Sequence, residues 1–257
     1  MRRDLHRRDV GERPPLSEDA AFEAWRNRRR AGDDSATLLN LYELVAGPRG
    51  LEPHELPLEE RKRLSTRALY EMAPGFEIVP GSDRGVEPIE LVPYDPAWPA
   101  RFDSWKARLL EVLPSAARRI DHVGSTAVPG LAAKPVIDIQ VSVEDLFDEA
   151  AYVPAIESVG IQLRSRDDEH RFFRPFEGRP REVHVHVCSA GSDWERRHLV
   201  FVAYLRADAE ARDAYLKAKQ SAAARWADDR IAYTEAKDVV IREILERAPA
   251  WARDTAS

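Results

Sequence analysis

The sequence is poor in cysteine and has no long apolar run. Cys188 is the one cysteine among 257 residues, so the chain cannot form an internal disulfide or a cysteine-rich zinc site. No run of eighteen apolar residues occurs, and a helix needs about that length to cross a bilayer. The first fifteen residues, MRRDLHRRDVGERPP, are basic but lack the apolar segment of a secretory signal. These absences predict a cytoplasmic protein without a membrane-spanning segment.

A net basic charge is also missing. The formal net charge is -6 at pH 7, whereas domains that bind duplex nucleic acid usually carry a basic field or stripe. The arginine run at residues 28–30 is the nearest approach to such a patch, but Glu23, Asp33 and Asp34 surround it. We interpret the run as a solvated helix face and do not expect nucleic acid as a partner.

Turn-forming residues and apolar spacing divide the chain into four parts. We expect a disordered arm over residues 1–15, a small helical region over 16–80, a linker over 81–88 and a larger domain over 89–257. In the helical region, Ser17 and Asp34 are the expected helix caps, and a third helix begins near Pro57.

The larger domain alternates apolar strands with helical segments. The expected strands are residues 89–94, 119–123, 136–143, 161–165, 171–176 and 183–189. We expect helices over about 100–113 and 144–158, and two long helices after residue 190. Strands interleaved with helices predict an α/β or α+β sheet domain.

A Gly-Ser pair follows the second of these strands. Gly124 allows the backbone to turn sharply, and Ser125 offers a hydroxyl beside free backbone N–H groups. Such a turn can hold phosphate oxygens, although an ordinary turn after a strand has the same composition. The next strand, VIDIQV, places Asp138 and Gln140 on one face. A carboxylate among apolar residues indicates a metal ligand, a catalytic base or a hydrogen bond at the sheet edge.

Longer strings in this region resemble a known family. They are VPYDPAWP, HVGSTAVPGLAAKPVIDIQV, VHVHV, YLRADAEARDAYLKAK and RIAYTEAKDVVI. Over residues 89–251 the chain resembles the GrpB family, which belongs to the DNA-polymerase-β-like nucleotidyltransferase superfamily. The resemblance implies a mixed sheet flanked by helices and a site for a nucleotide-type ligand. It implies that Gly124, Ser125 and Thr126 form the phosphate-binding turn and that Asp138 is the first metal-binding carboxylate.

The chain departs from the superfamily pattern at the other acidic positions. Gln140 stands where a second acid is expected, and His184 and His186 replace the third acid on a later strand. Because they are two residues apart, the two histidines point to the same face of that strand. We expect Asp138, His184 and His186 to be the catalytic residues, and these three with His122 to be metal ligands.

The expected cofactor is a divalent metal: magnesium, manganese or zinc. Nitrogen and oxygen ligands together suit zinc, manganese or iron better than magnesium. Two alternatives remain for the histidines. They form a polar pocket through hydrogen bonds, or they bind substrate and transfer protons.

Phosphate also needs cations nearby. Lys134 precedes the acidic strand, and Arg171 and Arg174 flank a Phe-Phe pair. Because these two arginines are three residues apart, they face opposite sides of a regular strand, and we prefer Arg174. Arg206 and Lys217 are interpreted as surface charges. On the last helices, Tyr233 and Lys237 are one turn apart and could reach a phosphate together or simply pack on each other.

The leading hypothesis is a nucleotidyltransferase-like protein that binds a nucleotide, a nucleotide-containing cofactor or a related phosphate-containing small molecule. Nucleotidyl transfer is the reaction that the superfamily implies, and a link to coenzyme A is implied because GrpB-like domains occur joined to dephospho-CoA kinases. The chain has no G-x-x-x-x-G-K-[ST] loop of its own. The alternatives are a binding or regulatory module that has lost the chemistry, and a metal-dependent hydrolase that uses the histidine pair.

Overall fold

The computed structural model of the protein describes residues 17–73, 75–80 and 88–255, with side chains up to residue 248. The chain divides into two compact units, Met1–Leu64 and Ser65–Ser257. This division falls upstream of the segment 81–88 that the sequence indicated as a linker. Residues 81–87 and the expected arm, 1–15, lie outside the described residues.

The described part of the first unit is built from helices. Helix α1 spans Glu18–Arg30 and α2 spans Leu38–Ala46, short 3-10 turns follow at Gly47–Arg49 and Pro53–Glu55, and α3 (Leu58–Met72) begins before the unit ends. Ser17 caps α1 as expected. The predicted cap at Asp34 is wrong, because the Thr37 hydroxyl accepts the N–H of Asn40 at the start of α2.

The described part of the second unit contains a sheet of six strands. They are β1 (Glu77–Ile78), β2 (Ala117–Val123), β3 (Ile137–Val143), β4 (Ile161–Arg166), β5 (His170–Pro175) and β6 (Val183–Ser189). Their order across the sheet is β1-β4-β5-β6-β3-β2. Strands β3 and β6 pair in parallel and the other neighbours are antiparallel, so the sheet is mixed.

The helices of this unit cover both faces of the sheet. They are α4 (Trp98–Val112), α5 (Val153–Ser158), α6 (Asp193–Ala207), α7 (Ala209–Arg225), α8 (Arg230–Glu235) and α9 (Asp238–Thr255). The mixed α/β sheet flanked by helices confirms the predicted fold class. None of the helices in the described part of the chain is both long and apolar enough to span a membrane.

The prediction of two long helices after residue 190 is wrong, because the described chain forms four helices there, α6 to α9. Two earlier elements also differ from the prediction. The strand expected at residues 89–94 is reduced to one bridge between Val92 and Ala133, because prolines at 93 and 96 interrupt the backbone hydrogen bonds that a strand needs. The helix expected over 144–158 shrinks to a 3-10 turn, Glu149–Ala151, and the six-residue α5. Pro154 occupies the first turn of α5, where its missing N–H is tolerated, and so fixes this late start.

The two faces of the sheet pack against different helices. On one face, Ile137, Ile139 and Val141 of β3 form the main core with apolar residues of α4 and α5. On the other face, Val123 at the end of β2 packs with apolar residues of α6, α7 and α9. Since side chains alternate along β3, Asp138 lies on this second face. The candidate site is therefore between the sheet and the C-terminal helices.

Candidate functional site

Gly124 brings the backbone directly against Asp138. Val123 pairs with Asp138 across β2 and β3, and Gly124 then turns the chain with φ 68° and ψ -168°. A Cβ atom at this position would lie 2.9 Å from the Cβ of Asp138. Both the backbone conformation, which is essentially restricted to glycine, and the missing side chain are required here.

The residues after Gly124 form one 3-10 turn, Ser125–Ala127, rather than the start of a long helix. The Ser125 hydroxyl lies near the side chain of Tyr215 on α7 and acts to lower the pKa of that tyrosine. Thr126 is buried, and its hydroxyl donates to the carbonyl of Val136 at 3.2 Å. Of the two hydroxyls, the structure therefore places that of Ser125 beside the second face and encloses that of Thr126 in the turn.

Asp138, His184 and His186 converge on the second face. Parallel pairing of β3 and β6 sets Asp138 beside His184 and Gln140 beside His186. The Asp138 Oδ1 atom lies 3.1 Å from His184 Nδ1 and 3.9 Å from His186 Nε2. The three groups can each offer one ligand atom within 4.8 Å of the others. The Asp138 side chain is 30% exposed, so solvent reaches this cluster.

The ionisation of the cluster follows from these contacts. Burial disfavours the charged form of Asp138, but the hydrogen bond from His184 and the nearby His186 imidazole outweigh that effect and hold its pKa well below the usual range. Burial lowers the pKa of both histidines, and the nearby carboxylate opposes this only in part. The cluster thus combines an anionic oxygen with imidazoles that are neutral near pH 7, which is the protonation state that metal ligands require.

His122 does not join the cluster. It pairs with Ile139 and therefore points to the opposite face of the sheet from Asp138. There its ring stacks on Phe102 at 4.8 Å, and its Nε2 lies 3.0 Å from the Thr126 hydroxyl. Burial lowers its pKa to about 4. The structure thus removes His122 from the set of four expected metal ligands.

Gln140 is enclosed on the same face as Asp138. Its side chain is fully buried, and neither amide atom has a hydrogen-bond partner among the described residues. Trp194 of α6 lies over the neighbouring strand, with its ring 5.6 Å from that of His186. The position at which the sequence resemblance implied a second acid is therefore neutral and closed to solvent.

An aromatic cluster borders the histidines on this side. The Trp194 ring stacks on His198 at 3.7 Å and on His170 at 5.2 Å. His170 in turn pairs with Asp167 at 2.7 Å. His170 on β5 and His198 on α6 were not foreseen, because they come from two different elements.

Three lysines lie on the other side of Asp138. Lys219 of α7 is 2% exposed and Lys237 is 9% exposed, while Lys134 in the loop before β3 is half-buried. Two tyrosines pack against them. The Tyr233 ring centre lies 5.1 Å from the Lys134 ammonium and 4.2 Å from that of Lys237, and the Tyr215 ring centre lies 5.4 Å from Lys219.

These lysines are destabilised in their charged form. Burial, together with mutual repulsion for two of them, lowers the pKa of Lys134 to about 8 and that of Lys219 to about 7. Burial lowers the pKa of Lys237 to about 8. Asp138 acts in the opposite direction on all three. The cations therefore share one electrostatic environment with the Asp138 carboxylate, and we call Lys134, Lys219 and Lys237 the lysine cluster.

Lys219 was missed by the sequence analysis, which considered the exposed Lys217 instead. A signal was available. Tyr215 and Lys219 are separated by four residues, the same spacing as Tyr233 and Lys237, and they lie on one side of α7. Because the sequence analysis already named Tyr233 and Lys237, the repeated spacing could have identified Tyr215 and Lys219 as well.

The candidate arginines have different surroundings. Arg171 points away from the site and forms an ion pair with Glu149 at 2.5 Å. Arg174 is buried and, two residues after Phe172, lies on the strand face that carries the histidines. Arg206 donates from Nε to the carbonyl of Ala127 at 2.9 Å and so holds the turn after Ser125.

Together these features define a class of protein: a mixed α/β domain with an Asp-His-His cluster, a Gly-Ser turn and enclosed cations on one sheet face. The chain belongs to the GrpB family. The family model described as "GrpB protein" matches residues 88–247, which include every residue of the site described above.

Relatives and a solved structure agree with this assignment. A UPF0157 protein of Halalkalibacterium halodurans is 41% identical over 162 residues, covering 63% of this chain and 83% of the relative. A UPF0157 protein of Streptomyces coelicolor is 39% identical over 165 residues, covering 64% and 87%. The crystal structure of conserved protein GrpB from Enterococcus faecalis is 30% identical, with a TM-score of 0.55, covering 62% of this chain and 96% of that one.

Another relative bears an enzyme name. A protein of Mycolicibacterium paratuberculosis named dephospho-CoA kinase is 37% identical over 198 residues, covering 65% of this chain. The match spans 48% of that relative, so this chain corresponds to about half of its length.

Proposed function

We propose that the chain binds a nucleotide or another phosphate-containing small molecule on the second face of the sheet. The observation that carries this proposal is the lysine cluster. Lysine is almost never fully buried unless it is paired, and here burial and repulsion disfavour the charged amines. An anion bound among the lysines would stabilise their charged form, and the backbone at Gly124 and Ser125 offers N–H groups that can also bind the anion.

The kinase name of one relative supports the same ligand class. Dephospho-CoA is itself a nucleotide-containing molecule, so coenzyme A and its precursors join the nucleotides as candidate ligands. That activity belongs to the relative, whose length is about twice the matched part.

We also propose that Asp138, His184 and His186 hold one divalent ion. In a tetrahedral zinc site the ligand atoms lie about 3.3 Å apart, and here two of the separations are 3.1 and 3.9 Å. The residues therefore fit zinc or manganese better than magnesium, which prefers oxygen ligands. A bound ion would supply positive charge to a phosphate oxygen. The lysine cluster would orient the same phosphate and balance its remaining charge.

Gln140 favours a second candidate, a binding module without nucleotidyl transfer. Transfer with two metal ions needs several anionic oxygens, and Gln140 is neutral, enclosed and unpaired among the described residues. Asp138 is then the sole carboxylate of the expected acidic motif. Binding is the part of the function that the geometry supports best, and nucleotidyl transfer or hydrolysis is the further step that Asp138 and the histidines would have to perform.

Isothermal titration with ATP, coenzyme A and inorganic phosphate tests the proposal. We expect binding to the unmodified chain and a loss of at least about tenfold in affinity in Lys219→Met, because one buried charge is removed. Lys217→Met is the matched control on the same helix, where the side chain is exposed, and should bind like the unmodified chain. Absence of binding for all three ligands would overturn the proposed function.

Turnover separates the two candidates. If ATP is consumed by the unmodified chain with zinc or manganese and not by Asp138→Asn, the site is catalytic. If ATP binds to both proteins and neither consumes it, the chain is a binding module.

A further inference from the structure

We propose that the innermost part of this site takes a terminal phosphate group, the dianion of a phosphomonoester, rather than a phosphate that is esterified on both sides. This inference rests on the proposed function and specifies the chemical form of the phosphate. It follows from how the lysine cluster is enclosed and from the charge that surrounds it.

The three lysines differ in depth. Lys134 is half-buried, whereas Lys237 and Lys219 are 9% and 2% exposed. Lys219 is also fixed in place, because its ammonium donates to the carbonyl of Ala132 at 2.6 Å. Since the inner two lysines have little open surface, only the end of a ligand can approach them. A phosphodiester continues in two directions and needs an open groove, so the enclosure favours a terminal group.

The surrounding charges favour a dianion over a monoanion. Arg181 and Arg230 are close enough to lower the pKa of Lys134, and Asp138 is the acidic group acting against them. Lys219 faces the other two lysines and Asp138. Lys237 faces Asp138 and the neighbouring Asp238. A phosphomonoester carries about -1.5 to -2 charges at pH 7 and a diester carries one, so the monoester more closely balances three charged lysines beside the single charge of Asp138.

The two tyrosines that face the lysines remain neutral. Burial raises the pKa of Tyr215 to about 12 and raises that of Tyr233 as well. The lysines are therefore the groups that respond to the anion. In the free protein at pH 8 they are partly uncharged, and a dianion beside them should raise their pKa and draw about one to two protons from solution.

Coenzyme A and dephospho-CoA form a matched pair of probes, because they differ by one terminal phosphate. AMP and cyclic AMP form a second pair, in which the monoester becomes a diester. By isothermal titration at pH 8 we expect coenzyme A and AMP to bind at least about tenfold more tightly than their partners. Repeating the titration in two buffers of different ionisation enthalpy should reveal the proton uptake.

Two variants test whether the lysine cluster causes the preference for a monoester and the proton uptake. Lys219→Met should reduce the preference within each pair and the proton uptake, whereas Lys217→Met should change neither. Equal affinity within both pairs, or discrimination that persists unchanged in Lys219→Met, would overturn the inference while leaving phosphate binding intact. Absence of binding for all four ligands would instead overturn the proposed function and this inference with it.

Discussion

Substitution of Gly124 by alanine tests the geometry on which the whole site depends. The backbone at this residue has φ 68° and ψ -168°, a region that costs a residue with a side chain about 1–3 kcal/mol. The added methyl group would also lie 2.9 Å from the Cβ of Asp138, and overpacking of this kind costs about 1–3 kcal/mol. We therefore expect Gly124→Ala to lower the free energy of unfolding by about 2–6 kcal/mol.

Gly130→Ala is the control in the same loop. Gly130 also has a positive φ, 77°, but a Cβ added there meets no atom within 4 Å. It should cost about 1–2 kcal/mol, which is at least about 1 kcal/mol less than Gly124→Ala. Urea denaturation followed by circular dichroism measures both values, and zinc titration reports on Asp138. Equal losses of stability, or unchanged zinc binding by folded Gly124→Ala, would refute the close approach of the turn to Asp138.

Three further predictions concern metal, pH and the buried amide. The unmodified chain should bind one zinc ion, and Asp138→Asn and His186→Asn should lose it. His122→Gln, on the other sheet face, should keep the ion. Metal analysis by mass spectrometry checks this, and loss of zinc in the His122 variant would contradict the proposed ligand set. Because burial lowers the pKa of the lysine cluster, the unfolded chain binds more protons between about pH 7 and 10. The ligand-free protein should therefore become more stable as pH rises through that window, and Lys219→Met should flatten the dependence in denaturation curves. A slope of the same size in both proteins would be inconsistent with this account. Gln140→Met should raise the unfolding free energy by about 1–3 kcal/mol, since it removes an unpaired buried amide, without changing phosphate binding; weaker binding would mean that Gln140 contacts the ligand.

The site could be predicted from sequence where local rules determine side-chain direction. Alternation along β3 and β6 correctly placed Asp138 with His184 and His186 on one face. The same alternation puts His122 and Val123 on opposite faces of β2, but only the register of β2 against β3 shows which of the two shares a face with Asp138. Val123 pairs with Asp138, so the His122 side chain lies on the opposite face of the sheet. The sequence supplies the alternation, while the register comes from tertiary pairing.

The lysine cluster was harder to predict because its members are far apart in sequence. Lys134 comes from a loop and Lys219 from α7, and no periodicity within one element shows that they meet. Burial of a lysine also contradicts its ordinary preference for the surface. For this reason Lys217 and Lys219 are equivalent by composition, and only the packing of α7 against the turn at Ser125 distinguishes the buried residue from the exposed one.

The overall charge and the charge of the site have opposite signs, and this contrast bears on ligand size. The formal net charge of -6 opposes the approach of a long polyanion, whose many phosphates interact with the whole protein surface. A small anion that enters the site interacts mainly with the enclosed lysines, whose field is screened least by solvent. Their burial, 2% exposure for Lys219, also denies them to a polymer backbone. Under the proposed function, the same enclosure that makes these amines costly to charge favours a small phosphate compound over nucleic acid.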